Sequence, residues 1–236
     1  MLVRTLLTRI GLALLLGLAL VAGLVRAGAI TIPDRINPFA PLQVADPPNA
    51  LTRFKLGRLE RDRDLCASTL RTSSLVYTPV PDQVTGEGCG FEAAVEVTRS
   101  SLAFDRPFRA SCGLAAAWAM VEAHVLQQAA RQHLGQPVVR IEHFGTYACR
   151  NLYHREGGRR SEHARANAID IAAFVLADGT RVSVRQDWNA DPKKAAFLRS
   201  VRDGACSFFD VVLSPDYNRA HHDHFHFDMG AFRACR

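Results

Sequence analysis

His221-His222-Asp223-His224-Phe225-His226-Phe227-Asp228 carries more structural information than any other stretch of this 236-residue chain. Alternation at period two is the pattern of a strand, so His224, His226 and Asp228 share one face while Phe225 and Phe227 pack on the other. Four of the nine histidines fall in this segment, and a polar strand face so rich in imidazole is suited to hold an ion. Upstream, Ser161-Glu162-His163-Ala164-Arg165-Ala166-Asn167-Ala168-Ile169-Asp170 supplies one more histidine with a carboxylate seven positions later. Two histidines, an aspartate and an open position for water make up a catalytic zinc shell, whereas a fourth protein ligand would close it. His124, His133, His143 and His154 lack this company and are read as surface or hydrogen-bonded core residues.

The first segment resembles the Ser-x-His-x-x-Gly-x-Ala-x-Asp signature of the LAS metallopeptidases (lysostaphin, D-Ala-D-Ala metallopeptidases, hedgehog), and the second resembles their His-x-His. Residues from about 60 onward also resemble the extensin-like C-terminal domain family, notably at Tyr147-Ala148-Cys149-Arg150, Ser161-Glu162-His163-Ala164, Ala168-Ile169-Asp170-Ile171 and Asp223-His224-Phe225-His226. The resemblance implies one Zn2+ ion on His163, Asp170 and His226, with His224 at the substrate or developing oxyanion. It implies a base at Asp223, where D-Ala-D-Ala carboxypeptidases have glutamate, or at His221, which stands at the offset of a further histidine in penicillin-insensitive murein endopeptidases. His224 is a third candidate for the base. Arg150 is similar in context to an arginine that stabilises charge on the scissile carbonyl oxygen, the alternative being an ordinary surface arginine. Ala166 occupies the signature's glycine position, which implies a slightly different turn.

Arg4 and Arg9 precede a run without charge from Ile10 to Val25, long enough for a signal-peptide core and slightly short of the roughly 20 residues of a comfortable span. Either way the chain is exported. The long core and the adjoining Arg26 favour a retained anchor over cleavage at Ala27-Gly28-Ala29, with the basic flank in the cytoplasm. Residues 1–30 are therefore taken as a signal-anchor or signal peptide, and 31–50, with prolines at 33, 38, 41, 47 and 48, as an extended spacer. Residues 51–236 form one domain. The localisation expected is a bacterial envelope, with the domain in the periplasm and the helix in the inner membrane.

Cys66, Cys89, Cys112, Cys149, Cys206 and Cys235 are even in number and without a Cys-x-x-Cys pair, which in an exported chain points to disulfides. Local closure favours Cys66–Cys89 and Cys206–Cys235. Cys149 as a nucleophile near His163 is the weaker alternative. The formal charge of +6 comes mostly from scattered arginines, with no zinc-finger spacing or aromatic RNA-binding motif, so it reads as a solvated surface without nucleic-acid binding.

The fold class expected is α+β: a small antiparallel sheet carrying the zinc site, flanked by helices. Residues 113–133 read as one amphipathic helix ending near Gly135, Val138–Phe144 and Ala168–Leu176 as strands, and Asp178-Gly179 as a turn into Arg181–Arg185. Asp191-Pro192 open a helix closed by Gly204, and Phe208–Leu213 and His224–Asp228 supply the last strands. Leu51–Leu65 suits an exposed helix. Trp118, Phe197 and Phe208 are core. The function expected is a membrane-anchored zinc metallopeptidase acting on the peptide stems of peptidoglycan cross-links. The alternatives are a zinc-containing envelope scaffold without catalysis and, more weakly, a metal-dependent nuclease.

Overall fold

The computed structural model describes residues 2–236, which divide into two compact units, Met1–Ala40 and Pro41–Arg236. In the first, helix α1 (Leu2–Arg26) contains an 18-residue window, Arg9–Arg26, of mean hydropathy 1.9. That helix suits a signal or an anchor. Met1 and the side chains of residues 2–5, Arg4 among them, and of residue 8 lie outside what is described.

The second unit begins inside the segment expected as spacer. Leu42 and Val44 are buried in its core, and the Val44 backbone is bonded to Thr72 and His124. Helices α2 (Thr52–Arg58) and α3 (Arg63–Leu70) replace the single exposed helix expected over 51–65. Asp62 explains the break, because its carboxylate accepts from the Leu65 N–H and caps α3. Leu56, Leu59, Leu65 and Leu70 are buried, so this pair belongs to the core.

Strands β1 (Val76–Pro79), β2 (Gln83–Gly86), β3 (Cys89–Phe91), β4 (Ala94–Arg99) and β5 (Ala103–Ser111) follow. Next comes a continuous helical segment of α4 (Cys112–Val121), a π-helical stretch (Glu122–Leu126) and α5 (Gln127–Leu134). Ser111 caps it, and Gly135 ends it in the left-handed conformation (φ 69°). Alanines fill α4 and every one of its residues is buried, so amphipathicity is confined to the far end.

The rest is β6 (Val138–Gly145), β7 (Ala168–Leu176), β8 (Arg181–Ser183), α6 (Val184–Asp187), α7 (Pro192–Ala205), β9 (Val211–Leu213), β10 (Phe225–Asp228) and β11 (Ala234–Cys235). The hairpin partner expected through Arg185 thus stops at Ser183, whose hydroxyl caps α6. Gly204 lies within the last turn of α7, not beyond it. The Val125 side chain occupies the space a Cβ would need there, so close packing explains the glycine. Phe208 and Phe209 are buried ahead of β9 and outside it.

The fold is mixed α+β, but the sheet is larger than expected. Nine strands run in the order β1-β4-β5-β6-β7-β10-β9-β11, with β8 also on β7, while β2 and β3 form a separate hairpin. β5–β6 and β9–β11 are parallel and the other pairings antiparallel. Strands β1, β4 and β5 therefore extend the sheet that carries the histidines. Helices cover its apolar face: Trp118, Phe197 and Phe208 are buried in one cluster with Ile169, Ile171, Phe225 and Phe227.

Three disulfides fasten the unit: Cys66–Cys112, Cys89–Cys149 and Cys206–Cys235, with Cα–Cα distances of 6.1, 5.5 and 5.8 Å. The last is as expected. The expected Cys66–Cys89 pair is wrong, because Cys66 on α3 faces the start of α4 while Cys89 on the hairpin faces Cys149. Short sequence separation was a poor guide where helices and hairpin pack on different neighbours. Cys149, being bridged, is no thiol nucleophile. Three disulfides point away from a reducing cytoplasm.

Candidate metal centre

His163 sits in a one-turn 3-10 helix, Glu162–Arg165, whose N-cap Ser161 accepts from the His163 N–H at 3.3 Å. The turn ends at Ala166 with φ 52° and ψ 33°, the left-handed region that glycine enters at least cost. The path is thus one that suits glycine, held here by an alanine whose methyl is buried against Phe91 and Ala94. Two residues later β7 begins. Ile169 and Ile171 enter the core, and Asp170 projects from the opposite face.

Antiparallel pairing of β10 with β7 sets His226 opposite Asp170, Phe225 opposite Ile171 and Phe227 opposite Ile169. Both phenylalanines are fully buried, so register and burial together fix the imidazole beside the carboxylate. His163 Nε2 lies 3.2 Å from Asp170 Oδ1 and 3.2 Å from His226 Nδ1, which is itself 2.9 Å from Asp170 Oδ1. Bonds of about 2.0 Å to a tetrahedral zinc place neighbouring ligand atoms about 3.3 Å apart. The triangle has the dimensions of one face of such a shell.

The partners on the far side of each ring decide where the protons are. His163 Nδ1 meets the Thr146 carbonyl at 3.1 Å, and a carbonyl only accepts, so Nδ1 carries the hydrogen and Nε2 is bare. His226 Nε2 donates to Asp228 Oδ2 at 2.9 Å, leaving Nδ1 bare in the neutral ring. Two nitrogen lone pairs and a carboxylate oxygen therefore converge on one point, an arrangement that repels itself unless a cation lies between them. Outer-shell groups of this kind orient metal-binding histidines. The donor set fits zinc and also other borderline divalent ions.

A proton on His226 can play that part. Burial alone would lower the His226 pKa, yet the hydrogen bonds to Asp170 and Asp228 outweigh it and push it up to about 9. Burial would likewise raise the Asp170 carboxyl, but His163 and His226 hold it well below the usual carboxylate range. The side chains of Asp170 and His226 keep 14% and 12% of their exposure, so solvent reaches the triangle.

His224 Nε2 approaches Asp170 Oδ1 at 3.6 Å, and its Nδ1 donates to Asp223 at 2.8 Å. Asp223 thus meets the triangle through His224, and its carboxylate is already engaged. His221 packs on both partners, with ring centroids 5.3 Å from His224 and 5.8 Å from His226. Its pKa falls to about 4, through burial first and then through the charges of His226, His224 and Arg150. Arg150 is accordingly within electrostatic reach of His221. Its own carbonyl is bonded by the Ser161 N–H at 3.0 Å, next to Cys149 and its bridge.

Six of the seven residues expected at the site are thus joined by direct contacts, and Arg150 meets them through its charge on His221. His124 and His133 bond to the Val44 carbonyl and to Ser200, buried His143 lies at the Arg106 carbonyl, and His154 is exposed, as ordinary histidines are. Sequence reasoning did not foresee Thr146, whose contribution is a backbone carbonyl and leaves no trace in composition. It placed Asp228 on the ligand face without its role at His226. Asn218 was also missed, although asparagine three residues before a histidine fits the first turn of a capped helix.

Comparison with curated proteins and with solved structures gives no significant match. A family model matches residues 64–236, the stretch from α3 to the C-terminus that includes every residue of the site. The chain belongs to the family described as extensin-like protein C-terminus.

Proposed function

We propose that this chain is an exported zinc metallopeptidase-like protein, related in its site to the LAS metallopeptidases, that hydrolyses peptide bonds in peptidoglycan cross-links. The observation that carries the reading is the convergence of His163 Nε2, His226 Nδ1 and Asp170 Oδ1, with their lone pairs pre-set by Thr146 and Asp228 and with solvent access retained. An N-terminal helix fit for a membrane and three disulfides support an envelope location, with α1 as inner-membrane anchor and the domain in the periplasm.

Zinc, when bound, supplies Lewis acidity towards a carbonyl and acidifies water. The chain's own groups supply the rest. His221, neutral near pH 7, accepts a proton from the attacking water. Arg150 and His224 offset the charge that builds on the carbonyl oxygen, and the proton passes to the leaving amine as the C–N bond breaks. His221 is preferred to Asp223 as base because the aspartate is held by His224.

A second reading, a non-catalytic zinc-containing envelope protein, draws on that engagement of Asp223, which stands where the resemblance to D-Ala-D-Ala carboxypeptidases implies a glutamate base. Metal analysis of the purified chain with mass spectrometry of digested muropeptides separates the two. The expected result is one divalent ion per chain and metal-dependent cleavage, both lost in His163→Ala and His226→Ala while the fold persists. Full cleavage by either variant would overturn the mechanism, and a metal-loaded wild type that cuts no muropeptide would favour the scaffold.

A further inference from the structure

The segment between Cys149 and Ser161 carries an unusual backbone. Tyr153 and His154 are successive non-glycine residues with φ of 52° and 57°, in the left-handed region that side chains other than glycine enter at a cost. From that strained position the Tyr153 hydroxyl reaches across to Asn218, whose Nδ2 donates to it at 3.3 Å. Asn218 caps the single turn Arg219–His221, and its Oδ1 accepts from the Ala220 N–H at 2.9 Å. A backbone N–H can only donate, so the amide is oriented with its oxygen towards the turn and its nitrogen towards Tyr153. The same Oδ1 lies 2.8 Å from His221 Nδ1. An oxygen that already accepts from Ala220 has no proton to give, and so Nδ1 of His221 must be the donor.

We propose that Asn218, anchored by Tyr153, is a positioning residue that locks His221 in the tautomer with hydrogen on Nδ1 and a bare Nε2. The inference rests on the hydrolytic reading above only for its consequence, which is that His221 is kept ready to take a proton. Tyr153 and Arg150 share one loop, so the same contact ties the cation of the site to its base.

Nitrogen NMR of histidine-labelled full-length protein in detergent micelles reads the tautomer directly, alongside metal content and muropeptide cleavage. In the wild type, Nδ1 of His221 is expected protonated and Nε2 bare. Asn218→Ala should give mixed tautomers and slow cleavage roughly 100-fold, the scale of a misplaced catalytic group, with metal content unchanged. Asn218→Asp, which still accepts from both donors, should restore the tautomer and most of the rate, and Tyr153→Phe should fall between. The proposal is overturned if wild-type His221 carries its hydrogen on Nε2, or if Asn218→Ala leaves both tautomer and rate intact. Failure of the wild type to cut any muropeptide would sink the hydrolytic reading, while the tautomer measurement still decides the role of Asn218.

Discussion

Strand pair β7–β10 and hairpin β2–β3 flank the same loop, residues 162–167, yet they are held in place by opposite means. In β7–β10 each residue is buried or belongs to the triangle of His163, Asp170 and His226, and four successive pairings run in unbroken register from Phe225–Ile171 to Asp228–Ala168. The hairpin has an irregular register, and its Val84 is 88% exposed. It is fastened by Cys89–Cys149 and by a small cluster of Phe91, Ala94 and Ala166. One region is specified by burial, the other by a covalent bridge.

Substituting a core phenylalanine should have the largest effect. Phe227 is fully buried and stacks on Phe209 at 5.0 Å and Phe225 at 5.6 Å, so Phe227→Ala should cost about 3–5 kcal/mol in urea unfolding. Replacing both Cys89 and Cys149 by serine should cost somewhat less, about 2–4 kcal/mol for a bridge spanning 60 residues. Hydrogen exchange should rise in 83–91 and 149–160 while β7 and β10 stay protected. An equal loss of protection in both regions would erase the contrast between them.

The pH dependence tests the polar face of the pair. In chelated protein the His226 pKa stands near 9 against its ordinary 6.5. Its contribution is therefore complete below about pH 6.5 and is lost as pH rises through 9. Melting temperature of the chelated form should fall across that window. Zinc should remove the fall by replacing the proton, with proton release on binding measurable by calorimetry in two buffers. A flat profile in the chelated form would mean that Asp170 and Asp228 do not hold the ring as described.

The smallest effect belongs to the joint between the regions. Ala166→Gly relieves left-handed strain of about 1–2 kcal/mol but gives up a buried methyl of about 0.8 kcal/mol and loosens the unfolded chain. A net change within about 1 kcal/mol is expected, and a larger loss would show that the methyl's contact with Phe91 matters more than the backbone.

Much of the β7–β10 region could be read from the chain because its information is local. Alternation in Ala168–Leu176 and in His224–Asp228 declares both strands and their faces; the bounds of β7 agree with the reading residue for residue, and β10 starts one residue later than expected, at Phe225. The hairpin and its bridge could not be read that way. Which cysteine meets Cys66 depends on how α3 packs against α4, and that is a property of the assembled core. The width of the sheet was hidden for a similar reason, since β5 pairs with β6 across a helical connection. The hydrogens on His163 and His221 are set by the Thr146 carbonyl and by Asn218, contacts that exist only after the chain has closed.

β10 lies between β7 and β9 in the sheet, and its His226 comes 63 residues after His163. In a chain threaded across a membrane from its N-terminus, the triangle stays incomplete until His226 has followed His163 across. An ion would then be captured from the compartment of arrival and not from that of synthesis. Local supply, more than any preference built into two imidazoles and a carboxylate, would choose which one is captured.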